Sequence, residues 1–185
     1  KAAGAAEVTL APTAASRADK ALCRRILTES DIVFISGGDV EDGMRTLAVA
    51  GLIPLLRSLH RAGVPFVGLS AGSIMLGRLW VRWRDPEDDT TAEPFPCLGL
   101  APLVCDTHEE DDAWPELMTV LGVAPARTAG YGIVSGAALR VGPDAAITAM
   151  GGTVHRFARK QGDVLRLPDL EPLEASGAAS LKFSD

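Results

Sequence analysis

Cysteine is scarce and unpatterned: Cys23, Cys97 and Cys105 are the only three, with no C-x-x-C spacing. This excludes a disulfide framework and a cysteine zinc site, and leaves three reduced thiols with packing roles. No apolar run approaches the ~20 residues a membrane span requires, and no charged-then-apolar leader opens the sequence. Basic residues are too few and too scattered for a nucleic-acid surface, since 18 Lys and Arg face 24 Asp and Glu for a formal net charge of −6. There is no internal repeat and no low-complexity tract beyond the Ala-rich start. These absences predict a soluble, cytoplasmic protein whose partner is a small molecule or peptide, with no nucleic acid and no membrane. A homodimer is the assembly to test. With 47% hydrophobic residues in 185, the chain can bury one sizeable core and is short for two. One domain over residues 1–160, followed by a C-terminal tail over 161–185, is the expected organisation.

Hydrophobic periodicity gives an α/β order. Val8-Thr9-Leu10 is a short candidate strand, and Arg17 to Thr28 carry apolar residues at helical spacing. Ile32-Val33-Phe34-Ile35 is too short for a helix and apolar on both faces, as a buried parallel strand is. It ends in the glycine loop Ser36-Gly37-Gly38-Asp39. Met44 to Arg61 reads as helix, split by Gly51 and Pro54, and Val64 to Leu69 as the next strand, which completes a βαβ unit. Trp80 to Pro96 is charged and proline-punctuated and predicts a loop over the active face. Leu98–Val104 is expected as a strand, Ala113–Leu121 as a helix, and the short segments from Tyr131 to Phe157 as hairpins closing one edge of the sheet. Beyond Gln161 there is little periodicity.

The chemistry concentrates at Gly68-Leu69-Ser70-Ala71-Gly72, a G-x-S-x-G sequence directly after an apolar run. A strand turning sharply into a helix holds its turn residue in strained backbone, and flanking glycines admit close neighbours. Ser70 would be the nucleophile, exposed where helix N–H groups can stabilise an oxyanion. A base must come from His60, His108 or His155. His60 has charged neighbours on the crossover helix and reads as a solvated residue. His155, beside Arg156, would suit the serine–acid–histidine order of an α/β-hydrolase esterase, although the HGGG-type oxyanion motif of those enzymes is absent. His108 follows a predicted strand whose C-terminal end would share a rim with Ser70 if the strands adjoin, which makes it the preferred base. Gly38, Asp39 and Ala71 can supply oxyanion N–H groups, and Gly37, Glu110 and Asp112 are the expected substrate contacts.

The ordered set Gly37-Gly38-Asp39, Gly63-Val64-Pro65, Gly68-Leu69-Ser70-Ala71-Gly72-Ser73, Leu98-Gly99-Leu100, Asp106-Thr107-His108 and Tyr131-Gly132-Ile133 resembles the dipeptidase E and cyanophycinase family of serine peptidases. The resemblance runs from about Asp31 to Phe157. It implies a fold like class I glutamine amidotransferases, a flavodoxin-like three-layer α/β sandwich with a mostly parallel sheet and antiparallel hairpins at its C-terminal edge. It further implies hydrolysis of short peptides or isopeptide-like bonds through an acyl-enzyme on Ser70, with His108 as base and neither metal nor cofactor. Two departures stand out. The family's acidic residue that orients the histidine is replaced here by Val134 and Ser135, which leaves Glu109, Asp106 or Asp111 as substitutes and admits a weakened homologue that binds or regulates. Related enzymes acting on acidic substrates carry arginines after the histidine, whereas this chain has Glu109-Glu110-Asp111-Asp112, a run that repels an aspartyl group and attracts a cation. Relatives also place a strand and helix earlier, so an opening strand is expected to be missing from this sequence.

Overall fold

The computed structural model describes residues 4–13, 19–160 and 162–172, and within them helices and strands alternate. Helix α1 (Lys20–Glu29) starts where Asp19 accepts the Leu22 N–H, and it buries Cys23 and Leu27, one turn apart. Strand β1 (Val33–Ile35) pairs in parallel with β2 (Phe66–Gly68). The crossover between them is helical, as the pattern predicts. α2 (Val40–Val49) is capped by Asp39, and α3 (Ile53–Arg61) begins after Gly51 turns the chain at φ +69° and carries Pro54 in its first turn. Val8 and Leu10, expected in a strand, lie in none and are exposed.

After β2 comes α4 (Ala71–Leu76), then the antiparallel hairpin of β3 (Leu79–Trp83) and β4 (Ala92–Pro96) where a loop was expected. Pro94 and Pro96 are compatible with a strand here because they lie two apart in a two-stranded ladder. Cys97 donates to the Arg78 carbonyl, so the alternate positions of this strand face its partner and both prolines sit where an N–H would point away. Leu98 to Val104, expected as a strand, is mainly a strap. Leu98, Gly99, Leu100 and Ala101 donate their N–H groups to the carbonyls of Met75, Gly77 and Leu76 at the end of α4, so they are not free for a ladder.

Strand β5 (Val104–Thr107) leads through a single 3₁₀ turn to α5 (Pro115–Val123) and then β6 (Ala129–Ile133). A hairpin of β7 (Ala138–Val141) and β8 (Ile147–Met150) follows, then β9 (Val154–Lys160) and β10 (Asp163–Leu170). The β5–β6 pair is parallel, β9 and β10 add to it antiparallel, and the order is β5-β6-β9-β10. The fold is therefore α/β, with parallel pairs after the helical crossovers and antiparallel pairing in the hairpins and the C-terminal strands. β10 occupies the region expected to be an irregular tail. As an end strand it is half solvated, which leaves little apolar pattern to read.

α4 packs against both β2 and β5, which belong to separate ladders. Cross-strand partners on the four-stranded sheet share a face, so Val104, Gly130 and Phe157 form one row and Asp106, Gly132 and His155 the next. α5 covers this face. A Cβ on Gly130 would stand 2.6 Å from Leu121 Cδ1, and one on Gly132 would stand 2.5 Å from the Trp114 ring. Glycine at these positions lets Leu117, Leu121 and Trp114 sink onto the sheet, each at most 2% exposed. Burial of each of the two leucines contributes roughly 2 kcal/mol.

Candidate active site

Ser70 sits at the junction of β2 and α4 with φ 53° and ψ −126°, a region that a side-chain-bearing residue adopts only when its surroundings impose it. The imposing contacts are close. A Cβ on Gly68 would lie 2.5 Å from the Gly72 carbonyl oxygen, and one on Gly72 would lie 2.1 Å from that of Ile35. The end of β1 thus presses directly on the turn, and Gly37 packs beneath the serine, where a Cβ would be 3.1 Å from Ser70 Cβ. The turn is tied internally by Gly72 N–H to Leu69 O (2.9 Å) and Ser73 N–H to Ser70 O (2.7 Å).

A cleft of about 260 Å³ opens above this turn. Ser70, Ala71, Gly38 and Asp39 form one side of its lining, and Asp106, Thr107, His108 and Glu109 come from the end of β5 and the turn after it. Trp80 from β3 and Glu116 from α5 complete it with Val40 and Ile74. Ser70, His108 and the three expected oxyanion donors are brought together, although β5 pairs with β6 and is not laddered to β2. His108 is exposed, has φ 69°, and makes no side-chain hydrogen bond among the described residues.

The acidic residues separate into two groups. Asp111 and Asp112 are exposed on the 3₁₀ turn and do not line the cleft. Glu110 also lies outside the lining, where it accepts the Ser135 N–H at 3.0 Å, and hydrogen bonding from Ser135 holds its carboxyl down to about 2. Asp106, Glu109 and Glu116 converge instead, with carboxylate oxygens within 4.8 Å of one another, and they are the residues that could hold a cation. Asp106 is 3% exposed, and burial, reinforced by Glu109 and Glu116, pushes its carboxyl up to about 8. Burial also raises Glu116.

Glu116 and Trp80 were not among the sequence candidates. Trp80 belongs to the segment expected to pass over the active face, which was the available signal. Glu116 reaches the cleft because Ala113 and Trp114, at φ 59° and 66°, reverse the chain, and no periodicity announces that. His155 does not line the cleft. It hydrogen-bonds Asp169 through Nδ1 (3.0 Å) and meets the Trp114 ring edge-on. His60 is exposed on α3 against the edge of Phe66. The three cysteines are free and buried, and burial lifts the thiols of Cys97 and Cys105 to about 12. No helix among the described residues is long and apolar enough to cross a membrane.

Fold and cleft together define an α/β protein with a serine held at a strained strand-to-helix turn. Residues 4–149 match Peptidase family S51, and the chain belongs to that family. Two curated relatives are named Peptidase E. The one from Shewanella amazonensis is 32% identical over 90 residues, covering 48% of this chain and 37% of the relative. The one from Streptomyces coelicolor is 34% identical over 87 residues, covering 46% and 35%. The matched stretches thus span little more than a third of those relatives. A crystal structure of a peptidase from an acI-B1 Actinobacterium superposes with a TM-score of 0.52 over 80% of this chain and 62% of its own, at 15% identity, a likeness of fold.

Proposed function

We propose that this chain hydrolyses a short peptide or isopeptide-like amide through an acyl-enzyme on Ser70. The carrying observation is the strained turn itself. Ser70 is held at φ 53° by backbone contacts on two sides and opens onto the cleft that also contains His108. In this reading His108 takes the hydroxyl proton as Oγ bonds to the carbonyl carbon, and returns it to the departing amine when the C–N bond breaks. Main-chain N–H groups of Gly38 or Asp39 and of Ala71 stabilise the oxyanion. Water then attacks the acyl ester as His108 takes its proton, and His108 returns that proton to Ser70 Oγ as the C–O bond breaks. Membership of a peptidase family and relatives named Peptidase E support the reading, and three buried free cysteines suit a reducing cytoplasm.

Mass-spectrometric hydrolysis of a mixed dipeptide and isoaspartyl-dipeptide library tests it, with Ser70→Ala in parallel. Cleavage abolished in the variant is the expected result, and cleavage retained by the variant refutes the proposal.

One observation favours a second reading, a homologue weakened in catalysis that acts by binding. No carboxylate hydrogen-bonds the His108 ring among the described residues, and Ser135 stands where the family resemblance places an acid. An imidazole without an orienting carboxylate can lose on the order of 10⁴ in turnover. Ser135→Glu is then expected to raise kcat, and an unchanged kcat counts against this explanation.

A further inference from the structure

Asp106, Glu109 and Glu116 are arranged unlike a solvated acidic loop. Each carboxylate has one oxygen tied by a fixed donor: Asp106 Oδ1 accepts the Thr107 N–H (2.8 Å), Glu109 Oε2 the Glu116 N–H (3.2 Å), and Glu116 Oε2 the Trp80 indole N–H (3.0 Å). The other oxygens have no donor among the described residues. That of Asp106, Oδ2, is wholly buried in a residue 3% exposed, an arrangement that costs roughly 1–3 kcal/mol when left unmet. No Lys or Arg among the described residues pairs with any of the three. Three carboxyl groups are therefore gathered in the wall of the cleft beside Ser70 and His108 with no protein cation to offset them, and without one Asp106 keeps its proton up to about pH 8.

A cation with several donors would meet these oxygens. A primary ammonium has three N–H groups at tetrahedral angles, and hydrogen bonds of about 2.8 Å put its three acceptors roughly 4.6 Å apart. One oxygen from each carboxylate here lies within 4.8 Å of one from each of the others, which admits such a triangle. We propose that Asp106, Glu109 and Glu116 form a subsite for a primary ammonium group of the substrate, supplied by a peptide N-terminus or a lysine side chain. The subsite deepens the peptidase reading and rests on it. It also gives the acidic residues after His108 distinct duties: Asp106 and Glu109 face the ligand with Glu116, whereas Glu110 fastens the 3₁₀ turn to Ser135.

The test is calorimetric binding to full-length Ser70→Ala protein in the presence of a chelator. Three probes are used: alanyl-alanine amide, N-acetyl-lysine amide and N-acetyl-alanine amide. At least one ammonium-bearing probe is expected to bind 10-fold or more tightly than the neutral one, and which one does so distinguishes N-terminus from lysine. In a Glu109→Gln/Glu116→Gln background, two isosteric changes at half-buried positions, the preference is expected to fall below about 3-fold. Equal binding of all probes, binding of none, or a preference that survives the double substitution overturns the proposal. So does ammonium binding that appears only once Mn²⁺ replaces the chelator, because the occupant would then be the metal. The readout does not need turnover. A protein with the ammonium preference that hydrolyses nothing refutes the peptidase reading alone, and one that cleaves acetylated neutral peptides as fast as charged ones refutes the subsite alone.

Discussion

Replacing Gly72 by alanine would set a methyl carbon 2.1 Å from the Ile35 carbonyl oxygen and 2.7 Å from that of Ser36. Ordinary C···O contacts begin near roughly 3.3 Å, so β1 and α4 would have to separate by about 1 Å. Neither side yields readily. Ile35 is in register with Gly68, and its carbonyl accepts the Leu69 N–H at 3.1 Å, so moving it strains the β1–β2 ladder beside Ser70. Overpacking against rigid backbone costs about 1–3 kcal/mol or more, and each weakened ladder bond adds about 1 kcal/mol. A destabilisation of ~4 kcal/mol is expected, a large share of the 5–15 kcal/mol typical of a domain. Gly43→Ala is the internal control. Its Cβ would also be close to a neighbour, 2.8 Å from Met75 Sδ, but that atom is the movable end of a flexible side chain. Alanine inside α2 also gains up to ~1 kcal/mol of helix propensity, so the net change should be within about 1 kcal/mol of zero. Urea unfolding followed by tryptophan fluorescence reads both variants. If Gly72→Ala loses less than about 1 kcal/mol, or Gly43→Ala is equally damaging, the close-approach argument is wrong.

Three further outcomes follow from the site. Asp106 holds its proton up to about pH 8 in the folded state, so folded protein binds more protons than unfolded above the ordinary aspartate range. Stability should be greatest near pH 4 and fall as the pH rises toward 8, by on the order of 1 kcal/mol per pH unit, with Glu109 and Glu116 opposing ionisation. Urea midpoints between pH 5 and 8 should show this slope in the wild type and a flatter one in Asp106→Asn, and parallel slopes would disprove the assignment. Ser70→Gly should unfold at a higher temperature than Ser70→Ala, by about 1 kcal/mol in stability, because only glycine relaxes at φ 53°; equal Tm values would mean the turn is not strained. His155→Ala should leave library hydrolysis unchanged while lowering stability by about 1 kcal/mol through loss of the Asp169 hydrogen bond, and a collapse of kcat would make His155 the base.

Legibility in the sequence followed locality. The Ser70 turn could be read because its glycines flank it within five residues, and the α2–α3 break because Gly51 and Pro54 both act on the chain next to them. The β3–β4 hairpin was hidden by Pro94 and Pro96, whose harmlessness depends on which ladder edge they face. The strap at Leu98–Ala101 looked like a strand because it belongs to a short apolar run, yet its donors serve the end of α4 rather than a neighbouring strand. Glu116 was invisible for another reason. Its place beside Asp106 arises from two successive left-handed residues and a tryptophan seated over Gly132, a combination that exists only after β5, β6 and α5 have assembled.

The hairpin's attachment carries a different kind of consequence. Chain leaves the end of α4 at Arg78, whose N–H donates to Leu103 O, and is back at the same spot by Cys97, whose N–H donates to Arg78 O. Between Ser70 and His108 the chain thus runs through α4, the strap and β5, and residues 79–96 form a hairpin that leaves and rejoins it at one point, packs on α5 and brings Trp80 to the cleft. Insertions or deletions at the exposed hairpin tip can therefore be accommodated without disturbing the spacing of Ser70 and His108. Sequence length in this stretch can thus drift in a lineage while the Ser70 turn keeps its geometry.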